Sequence, residues 1–149
     1  MSLAQKHKED FVNLIEAGYI ACNQADEDAA KKLFKGASIL NPDNTLAKLG
    51  IGYMHMLKFE IQKAIDCFQE VLKKDPKNEM AQAMLGMTMA FGAVDMLKAE
   101  DLLKGAAKAD DKTVSQLADQ AMVFMDQFLK KSPGSPAAGM QSKQQPKKK

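Results

Sequence analysis

An all-α fold follows from three features of the 149-residue sequence. The body is rich in Ala, Leu, Met, Lys, Glu and Gln, all good helix formers, and the whole chain holds only nine Gly and five Pro. No stretch alternates β-branched with polar residues, so strand signals are missing. Residue types also recur at a spacing of ~34, the length of two short helices and their turns. Gly18, Gly52 and Gly86 fall on that spacing, as do Ala30 and Ala64, Phe34 and Phe68, and Pro42 and Pro76.

The elements follow in order. A first helix over about 4–23 carries Gly18, whose bare backbone lets the second helix of the pair approach closely. A second, over about 27–40, stops where Pro42 drives Asn41 out of the α region. The next pair, at about 45–58 and 61–74, repeats the pattern, with Pro76 following Asp75. Within it "GYMHML" (52–57) is apolar on almost every side, and only Lys48, His55 and Lys58 share a narrow polar arc. A surface helix needs one apolar stripe, so this one needs cover or company on two sides. At about 15 residues it is too short to span a membrane.

A third pair is expected at about 79–91 and 96–109. Here Leu102 stands where the spacing calls for Phe and Asp110 where it calls for Pro. A shift of one residue recovers Ala99 and Ala106, which places an insertion in "FGAVD". A seventh helix over about 114–131 opens on a T-x-x-Q capping box, Thr113 and Gln116. Its stripe of Leu117, Ala121, Phe124, Met125 and Phe128 is expected to close the third pair. Beyond Lys131, "SPGSPAAGMQSKQQPKKK" has almost nothing to bury and reads as a disordered basic tail, 132–149.

Charge and cysteine usage narrow the function classes. All 21 basic residues are Lys. Without Arg the bidentate fork that reads phosphate or guanine is missing, which argues against nucleic acid as a partner. Four of the lysines sit in the tail, leaving 17 Lys against 19 acids in residues 1–131, a net of −2. Cys22, Cys67, His7 and His55 cannot be assembled into a zinc set at ligand spacing. Both Cys lie among apolar residues, where a free thiol packs as a small hydrophobe. No Ser–His–Asp set or Gly-rich phosphate loop is present, so no catalytic residue, metal or cofactor is expected. The N-terminus has acids too early for a signal peptide.

The 34-residue recurrence, with "LFKGASILNPDN" aligned on "CFQEVLKKDPKN", resembles the tetratricopeptide repeat. The resemblance implies three helix pairs in a right-handed superhelix (repeats about 11–44, 45–78 and 79–112) with a capping helix at about 113–131. It also implies that helix A of each repeat turns one face toward a groove. The groove positions are Val12, Ile15, Tyr19, Cys22 and Asn23 in repeat one. They are Leu46, Leu49, Tyr53, Met56 and Leu57 in repeat two, and Met80, Ala83, Met87, Ala90 and Phe91 in repeat three. Fourteen of these fifteen are apolar or aromatic, and seven of the eleven Met lie between Met54 and Met96. Met suits a surface that adapts to a partner. Core packing, or a segment of the chain folded into the groove, are the competing readings of the same residues.

The carboxylate-clamping co-chaperones of this family need Lys and Asn where this chain has Ile15, Tyr19, Gly50, Met80 and Met84, so that clamp cannot be built. A three-repeat chain with an apolar groove instead resembles the bacterial type III secretion chaperones. The short stretch ahead of repeat one favours the branch that holds the needle subunit. What that resemblance implies is a cytoplasmic protein that masks the subunit's amphipathic helix, with a second small co-chaperone, and that self-associates when unliganded. A chaperone of the translocator proteins, or a passive scaffold module, are the alternatives.

Overall fold

The computed structural model describes residues 1–130. Every regular element among them is helical: α1 (Leu3–Asn23), α2 (Glu27–Leu40), α3 (Leu46–Leu57), α4 (Ile61–Lys74), α5 (Glu79–Phe91), α6 (Met96–Ala106) and α7 (Lys112–Phe124). A π-helical turn, Met125–Leu129, continues α7. The basic tail expected at 132–149 lies outside the described residues.

The expected punctuation operates as chemistry dictates. Asn41 and Asp75, each before a proline, take nearly the same non-helical conformation (φ −144°, ψ 83° and φ −133°, ψ 82°), and α2 and α4 end there. The Asp26 carboxylate accepts from the Ala29 amide at 3.0 Å and starts α2. Glu27 and Asp28 in the first turn of α2, and Lys73 and Lys74 in the last turn of α4, match the helix dipole. Between the helices of a pair the chain reverses through one left-handed residue, Ala25 (φ 59°) in the first and Phe59 (φ 57°) in the second. Phe59 lies just past α3 and is 71% exposed.

The chain divides into two compact units, Met1–Ala81 and Gln82 onward. In the first, α1 packs on α2, α3 on α4, and α3 on both helices of the preceding pair. Phe11, Ile15, Ala30, Phe34, Ala37, Ala47 and Met54 form its buried cluster. The Phe34 ring explains two glycines at once. A Cβ on Gly18 would stand 2.5 Å from its Cε1, and one on Gly50 would come closer still. Phe68 meets Gly52 in the same way, at 2.6 Å. Close helix approach, aromatic filler and small residue are one device used twice.

In the second unit Leu103 takes the place of the ring. It is fully buried, and its Cγ lies 2.9 Å from where a Gly86 Cβ would be. The expected shift of one residue is therefore present: Ala99, Leu103 and Ala106, all buried, stand for Ala64, Phe68 and Val71. The extra residue is absorbed in Gly92–Asp95, where both Ala93 (φ 50°) and Asp95 (φ 45°) are left-handed. Thr88, fully buried, satisfies its hydroxyl by donating to the Met84 carbonyl at 2.7 Å.

Three expectations need correction. The helix expected to reach 109 stops at Ala106, where the chain turns before Asp111. The start of α7 is not the Thr113–Gln116 box. Asp111 caps it, accepting from the Thr113 and Val114 amides at 2.8 and 3.3 Å, because a carboxylate two residues earlier reaches the free N–H groups first. Finally, only part of the expected closing stripe is covered. Ala121 and Met125 are buried, Leu117 is half-buried, and Phe124 and Phe128 remain exposed.

Candidate partner-binding face

The polar arc of α3 is engaged in ion pairs, although Lys48 and Lys58 stay more than a third exposed. The Lys48 ammonium reaches Glu70 on α4 at 2.7 Å, His55 Nδ1 meets Glu60 at 2.5 Å, and Lys58 meets Glu27 on α2 at 2.6 Å. The polar side of "GYMHML" is thus tied to its neighbours, and the helix turns a different side outward.

That side holds the expected groove residues, and their depth follows one rule in all three helices. At ~100° per residue, the fifteen positions cover an arc of about 100° on each helix A. One edge is buried: Ile15 and Cys22 in α1, Leu49 and Met56 in α3, Ala83 and Ala90 in α5. The middle is half-buried: Tyr19, Tyr53 and Met87. The other edge emerges: Val12, Leu46, Leu57 and Phe91 are each more than a third exposed, Asn23 is exposed, and Met80 is half-buried. The expected wall is core along one border and surface along the other. Six of the fourteen apolar candidates are therefore packing residues in the chain as it stands, and Val12, Leu46, Leu57 and Phe91 are the apolar ones most open to contact.

Within the first unit, α1 and α3 lie side by side and bring Tyr19, Tyr53 and Asn23 together. The two tyrosine rings are 5.4 Å apart, and Tyr19 meets the Phe34 ring edge-on at 5.5 Å. The Tyr53 hydroxyl donates to Asn23 Oδ1 at 2.8 Å. Burial, then the neighbouring Cys22 and Tyr53, push the Tyr19 phenol up to about 12. Burial raises Tyr53 and the Cys22 thiol too. All three groups stay neutral near pH 7, and the face carries no ionised side chain at its centre.

Next to this cluster is a hollow of about 170 Å³, lined by Cys22, Ala25, Glu27, Met54, Leu57 and Lys58. Cys22 and Leu57 are expected groove residues. Ala25, Met54, Glu27 and Lys58 are not, and no periodicity could have found them, because the hollow forms where a turn of one pair meets a helix of the next. Both Glu27 oxygens are engaged, one by Lys31 at 2.5 Å and one by Lys58. The two lysines hold its carboxyl down at about 2, Lys31 having the larger influence.

In the second unit Phe91 packs edge-on against Phe124 at 5.5 Å, and Phe124 lies 5.1 Å from Phe128. The aromatic ladder leaves each ring partly open to solvent. Among the described residues no group of His, Cys, Asp and Glu could hold a metal ion, and no helix is long and apolar enough to cross a membrane.

Comparison with known proteins finds a partial likeness. Over 70 residues, 47% of this chain, the sequence is 36% identical to a protein of Cyanophora paradoxa described as uncharacterized protein ycf37. The chain spans about 41% of that protein's length, and its description names no activity or partner. No protein family matches the chain, and no solved structure matches it.

Proposed function

We propose that the chain is a protein-binding module that holds an amphipathic helix of a partner on the face shared by α1 and α3. The observation that carries this reading is the exposed apolar border of that face, Val12, Leu46 and Leu57, beside half-buried Tyr19 and Tyr53. Exposed apolar surface gathered on one face marks an interaction site, and Tyr is well suited to anchor one. Neutral phenols and a neutral thiol at the centre favour an apolar occupant over a charged one.

The specific form that the repeat resemblance supplies is a bacterial type III secretion chaperone, with the needle subunit as cargo. In that role the protein covers the helix through which the subunit polymerises, in the cytoplasm before export, alone or with a co-chaperone. No energy source is required, since masking is an equilibrium property of the complex. A translocator chaperone or a passive scaffold would use the same face.

The test is a set of single changes at the exposed border. Val12→Glu, Leu46→Glu and Leu57→Glu are expected to keep the helical circular dichroism of the parent and lose the partner recovered by affinity purification from the native host. Phe68→Glu, which buries a charge, is expected to unfold its helix pair. If the three surface variants retain the partner, this face is not the binding site. A partner that polymerises on release supports the chaperone role, whereas one that stays in a stable assembly supports the scaffold.

A further inference from the structure

Two features of the α1/α3 face lie next to each other, and they differ in what they can recognise. The hollow beside Cys22 and Met54 has apolar walls, and the charges at its rim, Glu27 and Lys58, are already paired with each other. At about 170 Å³ it is smaller than the ~300 Å³ at which pockets for small-molecule ligands begin. It has room for one uncharged side chain.

One helical turn away along α3 stands Tyr53, whose hydroxyl fixes Asn23 by donating to its Oδ1. That bond leaves the amide N–H groups of the exposed Asn23 without a hydrogen-bond partner among the described residues. The Tyr19 hydroxyl likewise makes no hydrogen bond with the described residues, although most of its ring is covered. Two donors are therefore available on this largely apolar face, Tyr19 in its middle and Asn23 at its exposed edge. A purely aliphatic helix laid across them would cut them off from water with no bond in exchange, which costs ~1–3 kcal/mol per group in the general case.

We propose that this face reads two points on an amphipathic helix: an aliphatic side chain seated in the hollow, and a hydrogen-bond acceptor three or four residues away that faces Asn23 and Tyr19. The inference rests on the reading of this face as a helix-binding site, and it adds the rule by which the site chooses. Charge and polar complementarity define the occupant. The rim ions are mutually satisfied, so they call for no counter-charge. The donors call for an uncharged acceptor, a Gln or Asn, within the apolar stripe. The spacing follows from Tyr53 and Leu57, which stand one turn apart and mark the two points.

The experiment selects a displayed library of 18-residue amphipathic helices against the full chain, with two stripe positions randomised at separations of three and four. The expected winners pair Leu, Ile or Met at one position with Gln or Asn at the other. A selected peptide should bind about tenfold more tightly than its version with Leu at the acceptor position, the value of one hydrogen bond. Asn23→Ala and Tyr53→Phe should each erase that preference. Leu57→Trp, which plugs the hollow from an exposed position, should weaken every winner while circular dichroism stays unchanged. Winners that are apolar at both positions and indifferent to Asn23→Ala would overturn the two-point rule but leave the helix-binding reading in place. No enrichment over a Tyr53→Glu control would overturn both.

Discussion

The first two helix pairs and the third solve the same packing problem with different fillers. In the first two, an aromatic ring is inserted between helices, and glycines at 18, 50 and 52 make room for it. In the third, Leu103 is the filler, and Gly86 approaches the partner helix until a Cβ there would stand 3.0 Å from the Ala99 carbonyl oxygen. Where the filler is a ring, the ring confines the glycine; where it is a leucine, side chain and backbone confine it together. A recurring spacing of glycines thus serves two different contacts, and equal positions in a repeat need not carry equal energies.

The largest effects should come from removing the fillers. Phe34→Ala is expected to cost about 3–5 kcal/mol and Leu103→Ala about 2–5, toward the lower end because Ala99 and Ala106 can close in. Denaturant unfolding followed by circular dichroism gives both values. Equal losses would mean that ring and leucine do the same work, and the contrast drawn above would fall.

A smaller change comes from crowding the glycines. Gly50→Ala should destabilise by about 1–3 kcal/mol, since the Phe34 ring must move. Gly105→Ala meets nothing within 4 Å and should stabilise α6 by about 0.5–1 kcal/mol. Thermal melts of the two variants should therefore shift in opposite directions. A Gly50→Ala variant that melts like the parent would show that the ring is not confined.

The smallest effect concerns the acids. Glu27 in the first unit and Glu100 in the second are each clasped by two lysines, Lys31 and Lys58 in one, Lys104 and Lys130 in the other, and both carboxyls are held below the usual range. Glu60 is held at about 2 as well, chiefly by His55 and then Lys63. A depressed folded pKa means stability that is present above the ordinary 4.5 and lost as pH falls toward about 2. The melting temperature should be flat from pH 7 to 5 and decline below it, and Glu27→Gln should flatten that decline. The loss should be modest because these pairs are open to solvent. A melting temperature unchanged down to pH 2 would remove the clasped acids from any account of stability.

Most of the helical plan was legible, because its markers are local. Pro42 and Pro76 stop their helices by steric conflict with the preceding residue, and the ranges 27–40, 61–74 and 79–91 coincide with the observed helices. Near 110 no proline decides the matter, and the Thr113–Gln116 pattern drew the expected start of α7 past Asp111, which caps it. The candidate face was legible in direction but not in depth. Periodicity places Ile15, Tyr19 and Val12 on one arc, yet which border of that arc a neighbouring helix covers depends on packing between segments far apart in sequence. The Tyr53–Asn23 bond and the Glu27–Lys58 pair span about 30 residues and join adjacent repeats, so no local pattern announces them.

The extra residue between α5 and α6 has a consequence of its own, best put in terms of phase. One residue added inside a helix turns everything after it by ~100°, which would have swung Leu103 and Ala106 away from α5. Placed in the turn at Ala93–Asp95, the same residue shifts the sequence without rotating the helix that follows. The turn acts as a slip joint: it takes up a change in count and passes on an unchanged orientation. Chains of this kind can therefore drift in repeat length at their turns while the faces of their helices stay aimed as before.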